Sequence, residues 1–106
     1  MDILLSEPER MFRQQMRDFV DSEIMPCASE WDRRNELAIE AFRKMAAVGL
    51  TGLTIPPEYG GQGGSLMDAF LMSVELARAS ISVASIMGTH MGLALSGLYH
   101  FGNEEQ

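Results

Sequence analysis

The sequence predicts an all-α fold, a multi-helical bundle with a buried central helix. Three observations carry that expectation. Apolar residues recur at steps of three and four in several segments, a serine three residues before an acid opens two of them, and no alternating strand pattern of useful length occurs. At 106 residues, 46% of them hydrophobic, the chain can build one modest core and not two independent domains.

The first helix is expected to begin at about Glu7. Ser6 and Glu9 can satisfy each other's orphan N–H groups, and Pro8 falls in the first turn, where a missing donor costs nothing. Phe12, Met16, Phe19, Val20 and Ile24 then mark one apolar face, and Pro26 is expected to end or kink the run by disfavouring a helical Met25. A short charged stretch, Ser29–Arg34, separates it from a second helix capped by Asn35, with Ile39, Phe42, Met45, Ala46 and Val48 turned inward and Gly49 as the left-handed stop. Residues 50–64, with Pro56-Pro57 and the glycines at 60, 61, 63 and 64, read as a structured loop anchored by Leu50, Leu53, Ile55 and Tyr59. Ser65 and Asp68 open a third helix, carrying Leu66, Ala69, Phe70, Met72, Val74, Leu76 and Ala77 and expected to be mostly buried. A fourth, from about Ser82 to Tyr99, is apolar nearly all round. Gly88 and Gly92 would let another backbone approach it, so it is expected at the centre.

Composition excludes several functions. Eight Lys and Arg against fifteen Asp and Glu give a net charge of -7, which lacks the basic footprint of a nucleic-acid or anionic-lipid binder. Cys27 stands alone, and His90 and His100 have no second cysteine near them, so neither a disulfide framework nor a structural zinc site is expected. The start, Met1-Asp2-Ile3-Leu4-Leu5-Ser6-Glu7, has no basic n-region and reads as cytoplasmic, or as mitochondrial matrix in a mature eukaryotic form. Residues 79–103 carry no charge and are long enough to cross a bilayer. They are diluted by serines, histidines and glycines, and read as a helix buried in protein instead.

The candidates for chemistry are few. Gly60-Gly61-Gln62-Gly63-Gly64 invites a phosphate cradle, but Leu66 stands where a third dinucleotide glycine would fall and no Gly-Lys-Ser/Thr follows, so a tight turn is the better reading. His90 has no acid or thiol three or four residues away to form a dyad, and His100 near a helix end suits the dipole. Cys27 has no neighbour that would define a lowered pKa. Of nine methionines, Met87 and Met91 share a face with Ala84 and Gly88, where a ligand could lie against small residues. The acids are expected on solvent faces or at helix starts, so the residues alone compose no complete active site and no metal site.

Three blocks carry a resemblance. Gly49-Leu50-Thr51-Gly52-Leu53-Thr54-Ile55-Pro56-Pro57-Glu58-Tyr59-Gly60-Gly61-Gln62-Gly63, then Glu75-Leu76-Ala77-Arg78-Ala79-Ser80, then Phe101-Gly102-Asn103-Glu104-Glu105-Gln106, resemble in order and spacing the amino-terminal domain of the acyl-CoA dehydrogenases. Ile24-Met25-Pro26 and Glu30-Trp31-Asp32 fit as well, so the similarity runs from about Leu5 to Gln106. It implies a flavoenzyme of fatty acid metabolism that oxidises an acyl-CoA thioester to its α,β-enoyl product. In that family a glutamate removes the α-proton and FAD accepts the β-hydride.

The resemblance further implies that residues 1–106 match only the helical first domain, without the middle β-domain and the carboxy-terminal helical domain. The catalytic glutamate has no counterpart here, and FAD is not expected to be held by this piece alone. A homotetramer and electron-transferring flavoprotein are the implied assembly and electron acceptor, with acyl-CoA as substrate and neither nucleic acid nor membrane as partner. Ala84, Ser85, Met87, Gly88 and Met91 are the implied wall of the acyl pocket, with Gly88 leaving room for chain or branching, while the Gly60–Gly64 loop is structural. The alternative is a stand-alone helical module that binds a lipid-like ligand or a partner helix without catalysis. In isolation the piece is expected to expose a large apolar patch and so to self-associate or be marginally stable.

Overall fold

The computed structural model describes residues 2–34 and 39–106, and every regular element among them is helical. Helix α1 (Glu7–Phe19) starts where the sequence places it. Ser6 Oγ accepts the Glu9 N–H at 3.3 Å, Glu9 Oε1 accepts the Ser6 N–H at 2.8 Å, and Pro8 sits in the first turn.

Pro26 does not end this run. The chain passes through a π turn (Val20–Ile24) into α2 (Met25–Arg34), with Met25 in right-handed helical conformation and its N–H reaching back to the Val20 carbonyl. Proline has no N–H to offer, and its ring strikes the carbonyl one α-turn behind it. A turn widened by one residue just upstream eases that conflict and lets the helix continue. The Ser29–Arg34 stretch, expected as a break, is therefore the second half of α2. The expected Asn35 cap lies outside the described residues.

Helix α3 (Ile39–Ala47) buries Ala41 and Met45 and rests Phe42 partly on the core. Ile39, Ala46 and Val48, expected inside, are exposed, because so short a helix offers its neighbours only one narrow stripe. Gly49 ends it at φ 84°. Two short 3-10 turns (Leu50–Gly52 and Pro57–Tyr59) follow, pinned by buried Leu50 and Leu53, while Tyr59 is half exposed, its ring edge-on to Tyr99 and its hydroxyl donating to Glu104. A Cβ at Gly61 would stand 2.0 Å from the Ile55 carbonyl oxygen, so only glycine fits that crossing.

Helix α4 (Leu66–Ala79) has the expected cap, with Ser65 Oγ accepting the Asp68 N–H at 3.1 Å and Asp68 Oδ2 accepting the Ser65 N–H at 3.0 Å. One extended residue, Ser80, then turns the chain into α5 (Ile81–Gly88), which runs through a second π turn (Thr89–Leu95) into α6 (Ser96–Phe101). The whole measures 41 × 36 × 19 Å, a slab about two helix diameters thick. Its core joins Met16, Val20 and Ile24 to Met45, Leu53, Met72, Leu76, Val83 and Met87.

Two burial expectations are overturned. Helix α4 seals one face with Leu71, Met72, Glu75 and Leu76 but leaves Leu66, Met67, Phe70 and Val74 exposed. The continuous helix Ile81–Phe101 is not the wrapped centre of the bundle. Val83 and Met87 are buried and Ala84, Ile86 and Met91 rest partly on the core, but Ile81, Leu93, Leu98, Tyr99 and Phe101 are exposed. It is long and apolar enough to cross a membrane, by length and composition only, and little of it is buried in the slab. The remaining helices are too few to cover it. No backbone approaches Gly88 or Gly92, since a Cβ at either would meet nothing within 4 Å.

Candidate functional site: an open apolar groove

An open groove of about 490 Å³ lies between α4 and the Ile81–Phe101 helix. Leu66, Ala69, Met72 and Ser73 form one bank, Met87, Gly88, Met91, Gly92 and Ser96 the other, and Thr54, Ile55 and Gly64 of the loop close one end near Tyr99 and His100. None of these residues is Asp, Glu, Lys or Arg. The second π turn runs along the bank, where the Ser96 N–H reaches back five residues to the Met91 carbonyl. Such a turn changes which residues follow one another along the face, and here Met91, Gly92 and Ser96 share it.

Of the five residues expected to line an acyl pocket, the structure brings Met87, Gly88 and Met91 into this groove. Ala84 packs against the core instead, and Ser85 is exposed away from the groove. Sequence reasoning missed Gly92 and Ser96, although steps of four from Gly88 reach both. It could not have found Ala69, Met72 and Ser73, which arrive from another helix.

The glycine-rich loop cannot cradle an anion. Its five amides are all spent internally: Gly60 donates to the Pro57 carbonyl, Gly61 to Pro56, Gln62 to Gly52, Gly63 to Ile55 and Gly64 to Leu53, at 2.7 to 3.1 Å. With no N–H left to aim outward, a phosphate or a flavin pyrophosphate has nothing to bind there. The tight-turn reading holds, with Gly60 and Gly63 at positive φ.

His90 packs edge-on against Phe42, ring centroids 5.0 Å apart, and His100 neighbours Tyr99 and Phe101 in the last turn. Cys27 is a partly exposed free thiol. Among the described residues no three His, Cys, Asp or Glu side chains gather to hold a metal.

The expectation that the acids lie on solvent faces or at helix starts fails, among the described residues, at Glu75. Glu75 is 1% exposed and is gripped by two arginines. Arg17 Nε and Nη2 donate to its two oxygens at 3.3 and 3.2 Å, and Arg78 Nε donates at 3.0 Å while Arg78 Nη2 reaches Asp21 at 2.7 Å. Burial alone would push this carboxyl up, but the two guanidinium groups outweigh it and hold the carboxyl below its ordinary value. A carboxylate so occupied cannot act as a general base. Asp21 and Glu75 in turn raise Arg78 further above its usual range. The only sequence signal is an acid three residues before an arginine in a helix with few charges.

Residues 6–106 match the family profile of the acyl-CoA dehydrogenase N-terminal domain. The chain belongs to the acyl-CoA dehydrogenase family. It is 36% identical, over its whole length, to an acryloyl-CoA reductase (NADH) of Anaerotignum propionicum and to a probable acyl-CoA dehydrogenase of Bacillus subtilis. It is also 36% identical over 96% of its length to a mitochondrial isovaleryl-CoA dehydrogenase of Pongo abelii. It spans 27%, 28% and 25% of the length of these three relatives. Within this acyl-CoA dehydrogenase domain the loop amides and Glu75 are committed to structure, while the groove is lined by no Asp, Glu, Lys or Arg.

Proposed function

We propose that this chain is the helical amino-terminal domain of an FAD-dependent acyl-CoA dehydrogenase, which oxidises an acyl-CoA thioester to the α,β-enoyl-CoA, and that the groove forms one wall of the acyl pocket. The observation that carries the reading is an uncharged groove of about 490 Å³ in a chain of this family, with Gly88 open along it. A saturated acyl chain offers no polar group to grip, so it is held by the water it excludes and by dispersion contact. Met87 and Met91, flexible and polarisable, can mould to chains of different shape.

On this reading the domain binds and orients the acyl chain and excludes water, while proton removal and hydride transfer belong to residues and flavin held elsewhere in the polypeptide. The glycine loop offers no pyrophosphate cradle, because its amides are taken. The exposed faces of α4 and of Ile81–Phe101 are then covered by the rest of a subunit about four times this length, as the 27% coverage implies, and by further copies in a homotetramer. Electrons leave to an electron-transferring flavoprotein, in a bacterial cytoplasm or a mitochondrial matrix.

The test is anaerobic titration of the full-length protein with acyl-CoA esters of graded length. Loss of the oxidised-flavin absorption on adding one of them is the expected result. A full-length preparation that carries no flavin, or flavin that no acyl-CoA reduces, would overturn the proposal. Gly88→Leu, which fills the groove, should shift the preference toward shorter chains.

A further inference from the structure

The groove's two banks belong to helices joined by a single extended residue, Ser80, at φ -160° and ψ 118°. Their angle therefore depends on how α4 and the start of α5 are seated on the rest of the slab. The Ser80 end is held locally, with its N–H on the Leu76 carbonyl and its hydroxyl accepting the Val83 N–H. Just before that elbow lies an ionic cluster built around the buried Glu75 carboxylate, with Glu75 and Arg78 on α4 and Arg17 and Asp21 on α1 and its π turn.

We propose that Glu75 is a positioning residue: by receiving Arg17 from α1 and Arg78 from its own helix, it fixes the rotational seat of α4 and so the width of the groove. The proposal rests on the reading of that groove as the acyl pocket. A buried carboxylate is a poor way to gain stability, since removing its charge from water costs most of what the attraction of its partners returns. An apolar residue at position 75 would seal α4 against α1 at least as well. What directional, forked hydrogen bonds add is a single permitted register, which a smooth apolar contact lacks. Met72 lies three residues before Glu75 on α4 and lines the groove, so a small rotation of the helix about its axis moves that bank directly. Arg17 and Arg78 are 51% and 37% exposed, so both guanidinium groups can turn to water when the carboxylate is lost.

The test compares Glu75→Leu and Arg17→Lys with the parent in the full-length protein, by thermal melting, by KM and kcat across acyl-CoA lengths, and by methyl NMR of the methionines. Glu75→Leu is expected to keep or raise the melting temperature. It should also change the ratio of KM values between short and long chains by roughly tenfold, the scale on which a pocket resolves a few methylenes. The expected kcat on the best substrate stays within about twofold, and the resonances of Met72, Met87 and Met91 move. Arg17→Lys keeps the charge, loses the fork, and should give the same pattern in weaker form. It also decides the matter if Glu75→Leu does not fold. An unchanged KM ratio with unmoved methionine resonances would overturn the proposal, leaving Glu75 a purely structural residue. Should the parent protein respond to no acyl-CoA, the reading of the groove falls, whereas the methionine resonances still report whether Glu75 sets its shape.

Discussion

The α1–α4 interface and the Ile81–Phe101 helix invert what their compositions suggest. The first contains a carboxylate and two arginines and is closed; the second carries no Asp, Glu, Lys or Arg at all and stands largely open. Burial follows from what lies opposite a surface, not from the surface alone. Glu75 is sealed because α1 brings Arg17 to it and Met16 and Val20 close around the same seam, while Leu93 and Phe101 stay bare because no described helix reaches them. A charge that meets its partner is at home in a core, and a leucine without one is not.

The comparison can be broken most forcefully at Leu76, which is fully buried beside Glu75. Leu76→Ala should cost about 2–5 kcal/mol in a denaturant melt, the usual range for truncating a core leucine. The same truncation at Phe101, 92% exposed, should leave the unfolding free energy of the 106-residue chain almost unchanged.

Acid sharpens the contrast. Glu75 has a native pKa held below its ordinary value of 4.5, so its contribution to stability is complete above that pH and is lost as the pH falls through the lowered native value. Melting temperatures across this acid range should drop more steeply for the parent than for Glu75→Gln. Equal slopes would remove the carboxylate from the account of acid stability.

Gly88→Ala tests the open side. A helical glycine whose Cβ would meet only empty space should gain about 1 kcal/mol of stability on becoming alanine, read as a rise in melting temperature. A loss would mean that something occupies the groove in the protein as measured.

The smallest thermodynamic effect belongs to Leu93→Glu with Phe101→Glu. In the 106-residue chain these should alter unfolding by no more than about 0.5 kcal/mol while suppressing the self-association its apolar faces invite, checked by sedimentation. In the full-length protein they should destabilise, because the same faces are then covered. Indifference in both settings would leave the exposed helix without a partner.

Much of the fold was legible where the physics is local. Ser6 with Glu9, Ser65 with Asp68, and Gly49 all behave as their sequence dictates, because these caps involve residues within four positions of each other. The course through Pro26 was not, because one widened turn upstream cancels a proline's usual effect and leaves no pattern in composition. Burial was misjudged for the same reason in Ile39, Phe70 and Leu93: periodicity reports that a face is apolar, not whether anything faces it. Of the groove, Met87, Gly88 and Met91 were readable as one helix's stripe. Met72 and Ser73 come from another helix, and Glu75 found its partner fifty-eight positions away, a pairing no local rule can reach.

The two π turns leave a mark in the lineage of the chain. Each is what a helix becomes when it absorbs one inserted residue without breaking, so a relative lacking the insertion should align with a one-residue gap inside Val20–Ile24 or Thr89–Leu95. Beyond the second turn, such a gap would rotate every later side chain by about 100°. Evolution could thus exchange the residues facing the groove in a single step, without altering one of them.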